Sequence, residues 1–170
     1  MAITWANILE WETGKLEEIA QELLEASQGL QKAYEKGQDH LNALQSQGDA
    51  VTAMRATTIS NLASLERALT NVNGALMAIE GARDGVATVM SNINTLQAYA
   101  STNNCTILND GSVVGEGSRT QRGGKSPARL NIEQGIKDVI EQADQVDTDL
   151  YHALQDINND SYTDGDWAEN

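Results

Sequence analysis

The chain has 170 residues, 40% of them hydrophobic but only 4% aromatic, with no Phe. That is enough apolar content for one domain, of the Ala- and Leu-rich kind that fills thin helix-on-helix seams rather than a thick globular interior. A net charge of −14 repels phosphates and anionic lipid headgroups, which argues against nucleic acid and anionic membrane surfaces as partners.

The first expected element is a helix over about residues 4–45. Leu9, Leu16, Leu23, Leu30, Gly37 and Leu44 recur every seven residues, beside a second column of Trp5, Glu12, Ile19, Ala26, Ala33 and His40. A flanking column of Ala20, Ser27, Tyr34 and Leu41 widens the stripe, as in a helix of a bundle. Trp5 belongs to this seam. Trp11, six residues on, points elsewhere on a continuous helix, which makes it a candidate partner contact or a local packing residue. Ser46-Gln47-Gly48-Asp49 is the natural turn: Gly48 can end the helix in the left-handed region and Asp49 can cap the next one. A link this short makes the two helices antiparallel neighbours.

The longest pattern in the chain follows, over about residues 49–100. One column is Leu62, Leu69, Leu76, Arg83 and Met90; the other is Val51, Thr58, Leu65, Val72, Ile79, Val86, Ile93 and Ala100. Alternating steps of three and four residues place both columns on one helical face in the manner of a coiled coil. At about 1.5 Å per residue the helix is roughly 75 Å long and must bury its seam against other helices. Gly74, Gly81 and Gly85 each weaken it by about 1 kcal/mol relative to Ala, so they mark close approaches or a bend.

Cys105-Thr-Ile-Leu-Asn-Asp-Gly-Ser-Val-Val then reads as a small β-hairpin over about residues 105–114, turned by Asp110-Gly111. Residues 115–129, with Arg119, Arg122, Lys125 and Arg129 among Gly and Ser, read as a flexible basic loop. QRGGKS lacks the first Gly of a phosphate loop, because Arg119 occupies that place. A third helix spans about residues 130–157, with Asn131 as its cap, on columns Ile132, Val139, Val146, Ala153 and Ile136, Ala143, Leu150, Ile157. Residues 158–170 form an acidic tail. Asp156, Asn158 and Asp160 match the opening ligands of a calcium loop, but Ser161 and Trp167 stand where that loop needs Gly and Glu.

No catalytic, cofactor-binding or metal-ligating set emerges. His40 and His152 are the only histidines, and Cys105 is the only cysteine, which precludes an internal disulfide. Nothing flanks Cys105 that would lower its pKa. No window approaches the roughly 18 consecutive apolar residues of a membrane span, and MAITWANILEWETGK lacks the regions of a cleaved secretory signal. The expected fold is therefore all-α: an elongated helical hairpin or bundle with a third long helix and a small β-hairpin insertion, occupying residues 1–157. The seam residues singled out as partner-facing or core are Leu9, Leu16, Leu23, Leu30, Leu62, Leu65, Leu69, Val72, Leu76, Ile79, Ile136, Val139 and Leu150. Regular seams with featureless polar faces point to a scaffold or binding module rather than an enzyme.

The hairpin with Gly48 at its turn, the segment from Ala100 through Cys105 to Val114, and Ile140-Glu-Gln-Ala-Asp-Gln-Val-Asp-Thr-Asp-Leu-Tyr-His-Ala-Leu together resemble the N-terminal domains of actinobacterial type VII (ESX) secretion substrates. These belong to the broad Trp-X-Gly (WXG) superfamily, many of whose members carry toxin or hydrolase domains downstream. The family's Trp-X-Gly turn is reduced here to Ser46-Gln47-Gly48. Its Tyr-x-x-x-Asp/Glu export signal matches Tyr162 and Asp166 in spacing, but in a Gly-containing acidic tail; the signal otherwise resides on a partner. The resemblance implies a protein–protein interaction and targeting domain that pairs through its seams with a helical partner or itself. It also implies contact with the type VII machinery and leaderless export from the cytoplasm. Two other classes compete with it: a structural or adaptor coiled-coil protein without an export role, and an acidic immunity or inhibitor protein directed at a basic enzyme.

Overall fold

The computed structural model describes residues 2–163. The fold is helical, with a small two-stranded antiparallel sheet: α1 Trp5–Leu9, α2 Gly14–Ala43, α3 Asp49–Thr102, β1 Thr106–Ile107, β2 Val113–Val114, a 3-10 turn at Glu116–Ser118, and α4 Pro127–Thr163. The chain forms two compact units. The first joins residues 1–16 to residues 81–151; the second contains residues 17–80 and the chain from His152 onward.

In the first unit, the N-terminal helix is shorter than its periodicity predicts. α1 is closed by a reciprocal capping box, in which Thr4 and Asn7 satisfy each other's backbone N–H groups. It ends after one and a half turns, and residues 10–13 interrupt the helix before α2 begins at Gly14. Thr13 and Gly14 are poor helix formers, and burial of Trp5 and Ile8 offsets the broken ladder. α3 runs without interruption through Gly74, Gly81 and Gly85. It stops in a Schellman turn: Asn104 takes φ 53°, the Cys105 N–H donates to the Ala100 carbonyl (2.8 Å), and the Asn104 N–H donates to that of Ser101 (3.1 Å).

The β-hairpin lies where expected, in the register Thr106↔Val114 and Ile107↔Val113, but its turn differs. Among the described non-glycine residues only Asn104 has positive φ, so Asp110 does not. Instead, the Gly111 N–H donates to the Leu108 carbonyl, and Gly111 alone is left-handed at φ 84°. This is a type I turn closed by a left-handed glycine, which makes a three-residue loop. Asp110 supports it by accepting from the Ser112 N–H (2.9 Å) and hydroxyl. These hydrogen bonds, the hydroxyl's first, lower its carboxyl pKa. Gly111 serves a second purpose, because a Cβ there would meet Trp5 at 3.3 Å.

Residues 115–126, expected as a flexible loop, are hydrogen-bonded to defined partners. The Gly117 N–H donates to the Asn104 carbonyl (3.0 Å), and the Ser126 N–H to that of Ser118 (3.1 Å). Ser118 and Ser126 are buried, and Arg119 bridges Lys125 as in a sheet. Ser126, rather than Asn131, caps α4: its Oγ accepts the Arg129 N–H (3.1 Å), and Pro127 takes the first helical position, where its missing N–H costs nothing. α4 continues to Thr163, so the first part of the acidic tail is helical.

The core of this unit is Trp5, Ile8, Val89, Ile93, Ala100, Cys105, Val113, Ile132, Ile136, Val139 and Ala143. Two glycines set the distance between its long helices. A Cβ on Gly85 would come within 2.6 Å of Val146, and one on Gly135 within 2.6 Å of Leu96. One of the two predicted α3 columns holds here, through Val86, Ile93 and Ala100. The other moves by one residue, because Ala82 and Val89 are buried while Arg83 and Met90 are only half-buried. The step from Leu76 to Ala82 is six residues rather than seven, so the buried face of α3 turns to the side on which the first unit's core packs.

The second unit is a helical hairpin joined by residues 44–48. α2 ends at Ala43, Gly48 adopts φ 143°, and its carbonyl accepts the Thr52 N–H (2.9 Å). Asp49 is consequently the first residue of α3 rather than its cap. The Arg55 guanidinium donates to the Leu44 carbonyl and ties the link down. The antiparallel register is fixed by Gly37, whose Cβ would overlap Leu62, and by Ser27, whose hydroxyl donates to Asn73 (2.6 Å). Gly74 lies against Ile157 of α4, with 3.3 Å left for a Cβ.

The glycines yield a paired expectation. A Cβ on Gly81 meets nothing within 4 Å, so Gly81→Ala should raise the unfolding free energy by about 0.5–1 kcal/mol through helix propensity. A Cβ on Gly117 would sit 1.6 Å from the Asn103 carbonyl oxygen, so Gly117→Ala should lower it by about 2–4 kcal/mol. Urea denaturation of the two variants against the parent chain measures both.

Candidate partner-binding site

The seam residues divide by unit. In the first unit, Ile136 and Val139 are buried, while Leu9, Leu16 and Leu150 are half-buried. In the second unit, only Ala20, Leu62 and Ile79 are buried among the described hydrophobic residues. Leu23, Leu30, Leu65, Leu69, Val72 and Leu76 are each half-buried, although they form the inner face of their hairpin. Beside them Ile59 is 52% exposed and Met77 73% exposed. An open cavity of about 420 Å³ lies along the seam, lined by Tyr34, Gln38, Leu41, Asn42, Ile59, Leu62, Ala63 and Glu66. Leu62, one of its lining residues, packs against Gly37 of α2, and Ile59 lines it while half exposed. Removing apolar area from water at such a seam contributes about 25 cal/mol per Å² before the costs of association are taken off.

Trp11 is placed by the interruption between α1 and α2. Its N–H donates to the Ile8 carbonyl (3.2 Å), continuing α1 for one more bond before the chain turns. On a continuous helix, Trp11 would face away from Trp5; with the helix broken, both indoles reach the same core. Trp5 is 2% exposed, and its indole N–H has no hydrogen-bond partner among the described residues. Trp11 is half-buried and forms one wall of a groove of about 320 Å³. Leu16, Ala82, Val86, Val146 and Leu150 supply the rest of its apolar surface, and Glu10, Glu12, Lys15 and Asp147 its rim. Sequence periodicity missed this groove, since it depends on a helix break that no Pro announces.

The basic segment offers little to an anion. Lys125 Nζ lies 2.9 Å and Arg129 Nε 3.0 Å from Glu133, so one carboxylate engages two of its four cations. The hydrogen bond from Lys125, followed by that from Arg129, lowers the Glu133 pKa below its ordinary value.

The remaining candidates are dispersed. Cys105 is buried in the first unit's core, its thiol donating to the Asn103 carbonyl (3.5 Å). His40 is exposed on α2 and His152 on α4. Among the described residues no group of three or more His, Cys, Asp or Glu is arranged to hold a metal ion. No helix among them is long and apolar enough to cross a membrane. The backbone of Tyr162 lies in the last turn of α4, and Asp166 lies outside the described residues. Comparison with protein-family models, curated proteins and solved structures gives no match.

The Glu133 cluster predicts an acid dependence. A carboxylate whose pKa is lowered by folding contributes stability above its unfolded pKa, and that contribution disappears as pH falls through the folded value. The stability advantage of the parent over Glu133→Gln should therefore be full above about pH 5.5 and fade as pH drops below about 4. Denaturation midpoints of the two proteins across that range test the sign.

Proposed function

We propose that this chain is a protein–protein recognition and targeting domain of a type VII secretion substrate, pairing through the hairpin of residues 17–80 with a helical partner or a second copy of itself. One observation carries the pairing: Leu23, Leu30, Leu65, Leu69, Val72 and Leu76 of that hairpin remain half-buried, with Ile59 and Met77 exposed beside them. A seam this open is completed by adding a helix, and the stretch of α3 from Leu65 to Leu76 is suited to receiving one. The export role rests on the family resemblance of the hairpin, the Cys105 to Val114 segment and the Ile140 to Leu154 segment. On this reading the protein is made in the cytoplasm, crosses the envelope without a cleaved leader, and has no catalytic chemistry of its own. In a longer natural gene it is the targeting part of a toxin.

Replacing Leu69 and Leu76 with Glu should dissociate the assembly or lower its helicity; unchanged mass by light scattering and unchanged circular dichroism would sink the pairing. Export is tested in a strain with a functional type VII system, supplied with the native partner genes, against a strain lacking the secretion ATPase. ATPase-dependent appearance in the medium is expected, with Tyr162→Ala reporting whether the signal lies in this chain or on its partner. Retention in the cytoplasm of both strains would leave a structural adaptor as the better description.

A further inference from the structure

The Trp11 groove lies in the first unit and takes no part in the pairing just proposed. We propose that it is a docking site for a basic amphipathic segment of another protein. One large apolar side chain of that segment seats against Trp11, Leu16 and Leu150, and Lys or Arg residues flanking it pair with Glu10, Glu12 and Asp147. The groove's volume of about 320 Å³ is at the small end for ligand sites, sized for one anchoring side chain rather than a nucleotide or an organic cofactor. Its floor is aliphatic, with one aromatic wall, the composition that concentrates binding energy at an interface.

Charge selects the occupant. Three carboxylates face the groove against the single cation Lys15. A second copy of the chain would bring another net charge of −14 to an already acidic rim. Nucleic acid and anionic lipid are repelled for the same reason. A cationic polypeptide is attracted, and its apolar anchor supplies what a purely ionic encounter lacks.

The probe is a fluorescein-labelled twelve-residue amphipathic peptide with Leu on one face and Lys on the other, titrated with the full chain. Two control peptides replace every Lys by Glu or every Leu by Ala. The Lys/Leu peptide should bind, and both controls should bind at least about tenfold more weakly. Trp11→Ala should cost about tenfold or more, as should the surface pair Glu12→Lys/Asp147→Lys, which leaves the fold's core untouched. The charge-matched pair Glu22→Lys/Glu35→Lys, on the exposed face of α2, should stay within about twofold of the parent. The proposal is overturned if that control pair weakens binding as much as the groove pair does, or if the Lys/Ala peptide binds equally well. It is also overturned by self-association that Trp11→Ala abolishes without peptide, which would assign the groove to a second copy. None of these results alters the Leu69/Leu76 test, so failure here is distinguishable from failure of the pairing.

Discussion

The first unit depends on how α3 stops. The Schellman turn at Asn104 reverses the chain within two residues and leaves the carbonyls of Asn103 and Asn104 facing back across it. Gly115 and Gly117 lie directly on those carbonyls, where a Cβ would come within 2.5 Å and 1.6 Å of them. That backbone-on-backbone contact closes the base of the β-hairpin and delivers Ser118 and Ser126 into burial. Ser126 then caps α4. The hairpin tip at Gly111 reaches Trp5, which anchors the N-terminus in turn. Removing the left-handed residue at 104 or the glycine at 117 would loosen every later step in this sequence of contacts.

The two units are stabilised to different degrees for a geometric reason. The first surrounds its seam with two long helices, a short one and a hairpin, so its apolar residues have neighbours on several sides. The second has chiefly one helix against another, and a seam between two helices covers only a strip of each. The half-buried leucines of the hairpin and the fully buried core around Ile132 are thus products of one architecture, differing in how many elements meet. Glycine has a separate role in each. In the first unit, Gly85 and Gly135 bring backbones together against Val146 and Leu96. In the second, Gly37 admits the side chain of Leu62.

Much of this was legible in the amino-acid order. The three long helices, the Gly48 turn and the small hairpin follow from hydrophobic spacing and from glycine and aspartate at turns, because those signals are local. Two kinds of feature were not. The break after Leu9 is decided by the burial of Trp5 and Ile8 against residues more than eighty positions away, which no local propensity contains. The moved column at Ala82 and Val89 is set by the residues that pack there from distant parts of the chain, which the seven-residue beat does not contain. The ordered segment at residues 115–126 resembles a loop in composition because its structure is made by backbone groups, which composition does not record. Of the candidate surfaces, the seam was visible as periodicity. The groove beside Trp11 was not, since the break creates it.

The division of the first unit into residues 1–16 and 81–151 has a consequence for the order of assembly. A chain leaving the ribosome presents Trp5 and Ile8 long before Ile132 and Ile136 exist, whereas the helices of residues 17–80 are joined by a five-residue link and can meet before the residues from His152 onward complete their unit. Contact between α2 and the first half of α3 is therefore available while the N-terminal indole still lacks its pocket. Forming that contact also shortens the effective path that must be spanned to bring residues 1–16 back to the remainder of their unit. Local pairing in one unit thus shortens the loop that the other must close.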